Sequence, residues 1–140
     1  MGWYQDYADA WNSRDADRIA SCFTDEGTYE DFATGRRHEG RAAIVAWVDS
    51  IIPEFSSDYT FEFAEPASLT DEGYAVEWVM RGTHDGQTGP VPATGKSYEI
   101  HGVSVGTLQG GKIASNRDYW SLAEFLVQVG ILPPLMPTDS

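Results

Sequence analysis

The apolar residues of this chain change their period after Pro53, and that switch constrains the fold more than any other feature of the sequence. Upstream they recur at helical spacing. Tyr4, Tyr7, Ala8 and Trp11 follow the i, i+3, i+4, i+7 rule of a helix with one buried face. Asn12-Ser13-Arg14 interrupt it, and Asp15 suits the N-cap of a short second helix that buries Ala16, Ile19, Ala20 and Phe23. Asp25-Glu26-Gly27 reads as a turn, Thr28 to Phe32 as a short strand, and Gly35 to Gly40 as a loop. A third helix starts near Arg41, places Ile44, Trp47, Val48, Ile51 and Ile52 on one side, and stops at Pro53.

Downstream the period is two. Tyr59, Phe61 and Phe63 alternate with Thr60 and Glu62 as a half-buried strand. Asp71-Glu72-Gly73 turns the chain into a long strand from Tyr74 to Thr83. Gln87 to Lys96, rich in Gly, Pro and Thr, is a loop before a second long strand, Tyr98 to Leu108. Gly110-Gly111 turns into a third, Lys112 to Trp120. Ser121-Leu122-Ala123-Glu124 has capping-box form and opens a last helix, stopped by Gly130 and Pro133-Pro134, with a loose tail of six residues after it. Helices first and hairpin-linked strands second imply an α+β fold, one domain over residues 1–140, with a curved antiparallel sheet wrapped around the N-terminal helices. A cavity between sheet and helices is the expected seat of function.

Composition narrows the function classes. At 41% hydrophobic and 13% aromatic residues the chain has ample material for a core. The net charge of −13 argues against nucleic acid, and an anionic ligand would need a local basic group to offset that field. Cys22 is the only cysteine, which leaves no internal disulfide and no thiolate metal site; on an apolar helix face it reads as a small hydrophobe. The N-terminus has neither the basic segment nor the apolar run of a signal peptide. No apolar stretch approaches the roughly 20 residues of a membrane helix, so a cytoplasmic protein with no membrane partner is expected.

Asp118 is the most informative residue. It lies between Asn116 and Trp120 at period-two spacing, so the three side chains share one face of a strand. Asp is depleted in strands and costly to bury, so an inward Asp needs a partner or a chemical role. Spacing alone leaves open that it faces solvent or pairs with an Arg. Asp31 and Tyr29 share a face of the first strand, with an exposed acidic strand end as the alternative. Arg81 sits inside the Tyr74–Thr83 strand, placed either to orient a carboxylate or oxyanion or to make a cross-strand ion pair. His38, within the basic loop Arg36-Arg37-His38, reads as solvated, while His84 and His101 stand alone without metal-ligand spacing. No nucleotide-binding glycine pattern occurs, and Gly102-Val103-Ser104-Val105-Gly106 lies mid-strand and is not a nucleophile elbow. Val76, Trp78 and Met80 fall opposite Arg81, and Val103 and Val105 opposite Ser104. If the Arg81 face lines the cavity, this apolar set lies outside and needs cover, which predicts a homodimer through the sheets.

Several segments carry a resemblance. Tyr7-Ala8-Asp9-Ala10-Trp11-Asn12, Phe23 to Asp31 and Gly40-Arg41-Ala42-Ala43-Ile44 resemble the N-terminal half of the SnoaL-like polyketide cyclases, within the NTF2-like superfamily. Gly82-Thr83-His84, Pro92 to Lys96, Gly111-Lys112-Ile113, Asp118-Tyr119-Trp120 and the Leu126–Leu132 helix resemble the second half. The resemblance implies an α+β cone and a cofactor-free enzyme in which Asp118 is the general base. It would remove a proton beside a carbonyl of a small hydrophobic substrate, and the enolate would close a ring or isomerise. Where family members carry a His on the preceding strand, this chain has Ser104.

Thr94-Gly95-Lys96-Ser97-Tyr98 and Arg117-Asp118-Tyr119 also resemble limonene-type epoxide hydrolases, with Tyr29, Arg81 and Asp118 at matching positions. The partner Asp of that family is Thr83 here, and its water-holding Asn is Asp31. The resemblance thus implies either an acid pair rebuilt as Asp31 with Asp118 or loss of the strict limonene-type reaction, the latter favoured. The expected catalytic set is Asp118, Arg81, Asp31 and Tyr29. Trp47, Phe61, Ile100, Ser104, Asn116 and Trp120 are expected to contact substrate, with no metal. A non-catalytic small-molecule binder on the same fold is the third reading.

Overall fold

A computed structural model describes residues 2–134 and 136, with side chains from Tyr4 onward. The helices are α1 (Gly2–Ser13), α2 (Ala16–Ala20), α3 (Arg41–Glu54) and α4 (Leu122–Gln128). The strands are β1 (Phe23–Asp31), β2 (Arg36–Glu39), β3 (Thr60–Phe63), β4 (Ser68–Leu69), β5 (Gly73–Thr83), β6 (Ser97–Gln109) and β7 (Lys112–Trp120). The expected loose tail lies outside the described residues, Met136 excepted.

Local chemistry explains the helix starts. Asp15 accepts the backbone N–H groups of Asp17 and Arg18 at 3.0 and 3.3 Å, and Ser121 Oγ accepts that of Glu124 at 3.1 Å. Elsewhere tertiary pairing overrides the local signal. Phe23 begins β1 instead of ending α2, and Asp25-Glu26-Gly27 run through the strand, where the register with β7 shifts between Phe23 and Thr28. The Gly35–Gly40 loop contains β2, and Pro53 lies in the last turn of α3 without ending it early.

The strands form one unclosed sheet in the order β2-β1-β7-β6-β5-β3, with β4 also on β5. It is mixed rather than wholly antiparallel: β1 runs parallel to β7, and Asp31 is the register partner of Asp118. No hairpin signal could reveal a pairing between strands more than eighty residues apart in the chain. α1 packs on β3, α3 on β1 and β2, and α4 on β6.

Tyr74, Val76, Trp78 and Met80 of β5 face the helices, which corrects the expected outward placement of Val76, Trp78 and Met80. Arg81, on the opposite parity, is on the outer face. The homodimer expected through the sheet loses those apolar supports; Val103 and Val105 stay on the outer face, half-buried, beside charged neighbours such as Glu77 and Arg117. Two apolar clusters fill the interior. One joins α1, α2, α3 and β1; the other joins Trp78, Tyr98 and Ile100 to Phe125 and Val129 around α4. Phe55, Phe61, Phe63 and Met80 touch both.

His84 fastens the loop after β5. The backbone N–H of Thr94 donates to its Nδ1 at 3.2 Å, so Nε2 carries the proton and donates to Thr88 Oγ1 at 2.9 Å. Thr88 in turn donates to the carbonyl of Glu54 at 2.6 Å. Burial pushes the His84 imidazole below its ordinary value, against the pull of Asp85. A depressed histidine contributes stability above its unfolded value near 6.5, and that contribution fades as pH falls below it. His84→Gln should therefore destabilise the protein at pH 7.5, by about 1–3 kcal/mol for the lost buried bonds. The gap in melting temperature should narrow as pH falls from 7.5 to 5; a constant gap would show that the neutral imidazole does not fasten the loop.

Candidate active site

Strand β7 alternates, and its inward parity after the register shift near Thr107 carries Asn116, Asp118 and Trp120. Asp118 is 6% exposed. Ser104 Oγ donates to its Oδ1 at 2.5 Å and Asn116 Nδ2 donates to the same oxygen at 2.8 Å. The Tyr29 hydroxyl donates to Oδ2. Behind these, Trp78 Nε1 donates to Ser104 Oγ at 2.8 Å and the Tyr74 hydroxyl to Asn116 Oδ1 at 2.6 Å. Each outer donor orients an inner one. With its oxygen accepting from Trp78, the serine hydroxyl directs its hydrogen at the carboxylate, and the asparagine amide turns its NH2 the same way.

Two glycines make that second layer possible. A Cβ on Gly102 would lie 2.3 Å from the Trp78 ring, and one on Gly106 would lie 2.3 Å from Tyr74. Both rings thus lie across β6 only because Gly102 and Gly106 flank Ser104. The mid-strand Gly-x-Ser-x-Gly is a seat for two aromatic side chains.

Desolvation raises the Asp118 carboxyl to about 6. The bonds from Ser104, Tyr29 and Asn116 hold it down, while the nearby charge of Asp31 adds to the rise. Asp31 is also buried, and burial raises it as well. Its Oδ1 accepts the N–H groups of Ala33 at 2.9 Å and Thr34 at 3.2 Å, and Trp120 Nε1 lies 3.1 Å from the same oxygen.

Both carboxylates line one small cavity that opens to the surface. Its walls are apolar and aromatic: Trp11, Trp47, Phe61, Ile100, Trp120 and Phe125 among others. It lies along the seam between the two apolar clusters, which explains how a hollow survives inside a packed domain. Among the described residues no group of three His, Cys, Asp or Glu side chains could hold a metal ion, and no helix is long and apolar enough to cross a membrane.

The sequence profile of the SnoaL-like domain matches residues 4–116, well over half of the chain. The chain belongs to the SnoaL-like family. No curated protein matches it. A hypothetical protein of ketosteroid isomerase-like fold from Catenulispora acidiphila, solved with trimethylamine, superposes with a TM-score of 0.81 at 23% identity, covering 97% of this chain and 98% of its own. A candidate polyketide cyclase from Xanthomonas campestris pv. campestris gives 0.77 at 23%, covering 91% and 94%. The epoxide hydrolase/cyclase-like enzyme SalBIII, which has a role in pyran ring formation in the polyether salinomycin, gives 0.70 at 26%, covering 87% and 90%.

Within this SnoaL-like domain the expected site residues separate into three groups. Asp118, Tyr29 and Asp31 line the cavity together with Trp47, Phe61, Ile100 and Trp120. Ser104 and Asn116, expected to contact substrate, instead grip Asp118 from beneath and are not part of the lining. Arg81 is excluded: its side chain is 46% exposed on the outer face, bound to Glu62 at 2.8 Å and Glu99 at 2.9 Å. A strand with Tyr74, Val76 and Trp78 on one parity must turn Arg81 outward. His38 is half-buried and stacked on Trp47 instead of solvated. The sequence reading missed Tyr74, Trp78 and Met80, whose shared parity was the available signal, and Tyr98 and Phe125, which no motif marks.

A carboxyl raised in the folded state favours the protonated fold. Its contribution is therefore greatest below the unfolded value near 3.8 and is lost as pH rises to about 6. That difference corresponds to at most roughly 3 kcal/mol. Asp118→Asn preserves an oxygen for Ser104 and Asn116 and offers its NH2 to the Tyr29 oxygen. This variant should melt at a higher temperature than the parent at pH 7.5, with the gap closing towards pH 4. A variant less stable than the parent at pH 7.5 would mean that the carboxylate is not held against its own solvation.

Proposed function

We propose that this SnoaL-like protein is a cofactor-free general acid/base enzyme of the cyclase or isomerase type, acting on a hydrophobic carbonyl-bearing metabolite. One observation carries the reading: a buried carboxylate, raised to about 6 and gripped by three donors, lines an aromatic hollow. A base is most effective when its value lies near the working pH. Oδ1 already accepts two donors, whereas Oδ2 accepts only Tyr29 and retains a lone pair for a proton.

Asp118 takes a proton from the carbon beside a carbonyl, and negative charge moves onto the carbonyl oxygen. Once Asp118 is neutral, the Tyr29 hydroxyl loses its charged acceptor and is free to donate to that oxygen. The enolate carbon then attacks a second carbonyl of the same molecule, and the resulting alkoxide recovers the proton from Asp118. Atoms balance and nothing leaves. Aromatic walls exclude water and fold a flexible substrate towards closure. The likeness to a candidate polyketide cyclase agrees with this reading, which rests on the site itself.

The test needs no identified substrate. In D2O, the protein should catalyse deuterium exchange beside the carbonyl of hydrophobic ketones, followed by NMR. The rate should rise with pH through about 6 and then level. Asp118→Asn should lose exchange by about 10²–10⁴-fold. Undiminished exchange in that variant would remove Asp118 as the base.

A second reading, epoxide opening, is favoured by the register pairing of Asp31 with Asp118, since strands lie only about 4.8 Å apart. The charge of Asp31 raises the Asp118 carboxyl, so the two do not ionise independently, and one can protonate an epoxide oxygen while the other accepts a proton from water or an internal hydroxyl. The likeness to SalBIII agrees with this. Incubating an aryl epoxide in 18O-labelled water decides between them. Label in the product beyond the uncatalysed level supports opening by water; a product unchanged from the protein-free control counts against it.

A further inference from the structure

We infer that the edge hairpin beside the cavity is a subsite for a carboxylate, so that the substrate is a hydrophobic organic acid bound with its carboxylate at Arg36 and its reacting carbon towards Asp118. This deepens the acid/base reading above and rests on it. β2 pairs with β1 so that Arg36 opposes Asp31 and His38 opposes Tyr29. Directly opposed residues share a face, so Arg36 and His38 stand on the inner side of the sheet, beside two cavity-lining residues. Trp47 of α3 lies over both. Its ring stacks on His38 with centroids 5.0 Å apart, and the Arg36 guanidinium lies 5.7 Å from the centre of the Trp47 ring.

The charge pattern gives Arg36 its meaning. Among the described residues, the cavity lining holds two carboxylates and no cation. The neighbouring cations of this segment are committed elsewhere. Arg37 points to the other face and pairs with Glu39 at 3.1 Å, while Arg41 binds the carbonyl of Phe23 and Asp25. Arg36 opposes Asp31, whose carboxyl its charge helps hold down, but its one ion pair among the described residues is a loose contact with Glu54, at 3.6 Å between half-exposed side chains. A pair of that kind contributes little, so a ligand carboxylate can replace Glu54 and take the guanidinium fork.

A second observation points to a guest on the same wall. Trp47 Nε1 and His38 Nε2 are buried without a hydrogen-bond partner among the described residues. Trp47 is 7% exposed and lines the cavity. Buried polar atoms are nearly always paired, so two that are not, one on a lining residue and one on the ring stacked against it, point to a molecule bringing polar atoms of its own.

The experiment reads binding, not turnover. 2-Naphthoate, indole-3-acetate and decanoate are each compared with their methyl esters by titration calorimetry at pH 7.5. At least one acid should bind about tenfold or more tighter than its ester, as one charge-assisted contact implies. Arg36→Gln should erase that preference, whereas Arg37→Gln, the same charge change on the opposite face, should leave it intact. Equal binding of acids and esters, no binding by any acid, or loss of the preference in both variants would overturn the subsite. Failure here with α-carbon exchange intact removes the carboxylate subsite alone. Loss of Asp118-dependent exchange with the acid preference intact removes the base alone.

Discussion

A carboxylate placed among aromatic rings is unfavourable unless donors replace the water it gives up. In this domain the replacement comes from three strands at once: Tyr29 on β1, Ser104 on β6 and Asn116 on β7. Trp78 and Tyr74, both from β5, orient the last two. Gly102 and Gly106 are required because a Cβ on either would collide with those rings. The centre of the sheet is therefore organised around one acid. The donors lower its proton affinity, burial raises it more, and the balance lies about 6.

The same geometry explains why there is a cavity and where its polarity sits. Helices α1 to α3 and β1 build one apolar cluster, while α4 and the far half of β5 and β6 build another. Large rings such as Phe55 and Phe61 bridge the two without filling the seam. The parallel pairing of β1 with β7 brings Asp31 beside Asp118, so the hollow has two acids on one side and hydrocarbon on the others. Arg36 and His38 stand beside that side of the hollow on the edge strand β2, opposite Asp31 and Tyr29.

Much of this was legible in the sequence, and what was not has physical causes. The period-two run Asn116, Asp118, Trp120 was enough to put the three on one face, and the Tyr4-to-Trp11 spacing was enough for α1. The short caps at Asp15 and Ser121 were equally readable. The parallel β1–β7 contact was not, because register between distant strands leaves no local mark. Gly27 reads as a turn residue in isolation, yet it lies in a strand where Phe23 and Ile113 approach within 3.1 Å of its missing side chain. Arg81 is a different kind of error. Tyr74, Val76, Trp78 and Met80 mark the core face of β5, so the alternation turns Arg81 outward, into the cross-strand ion pairs that were its alternative. Ser104 was rightly placed inward, but its work is on Asp118, a distinction that only the hydrogen-bond partners reveal.

The central claim is that the residue 118 carboxyl sits in a desolvated, donor-lined site that holds on to its proton. Carbon-13 NMR of protein labelled at the aspartate carboxyl carbons, titrated from pH 3 to 8 and assigned by the resonance missing in Asp118→Asn, measures this directly. The account predicts a midpoint near 6 for that carbon. A midpoint at the ordinary value near 3.8 would contradict it, because such a carboxyl is solvated like any on the surface.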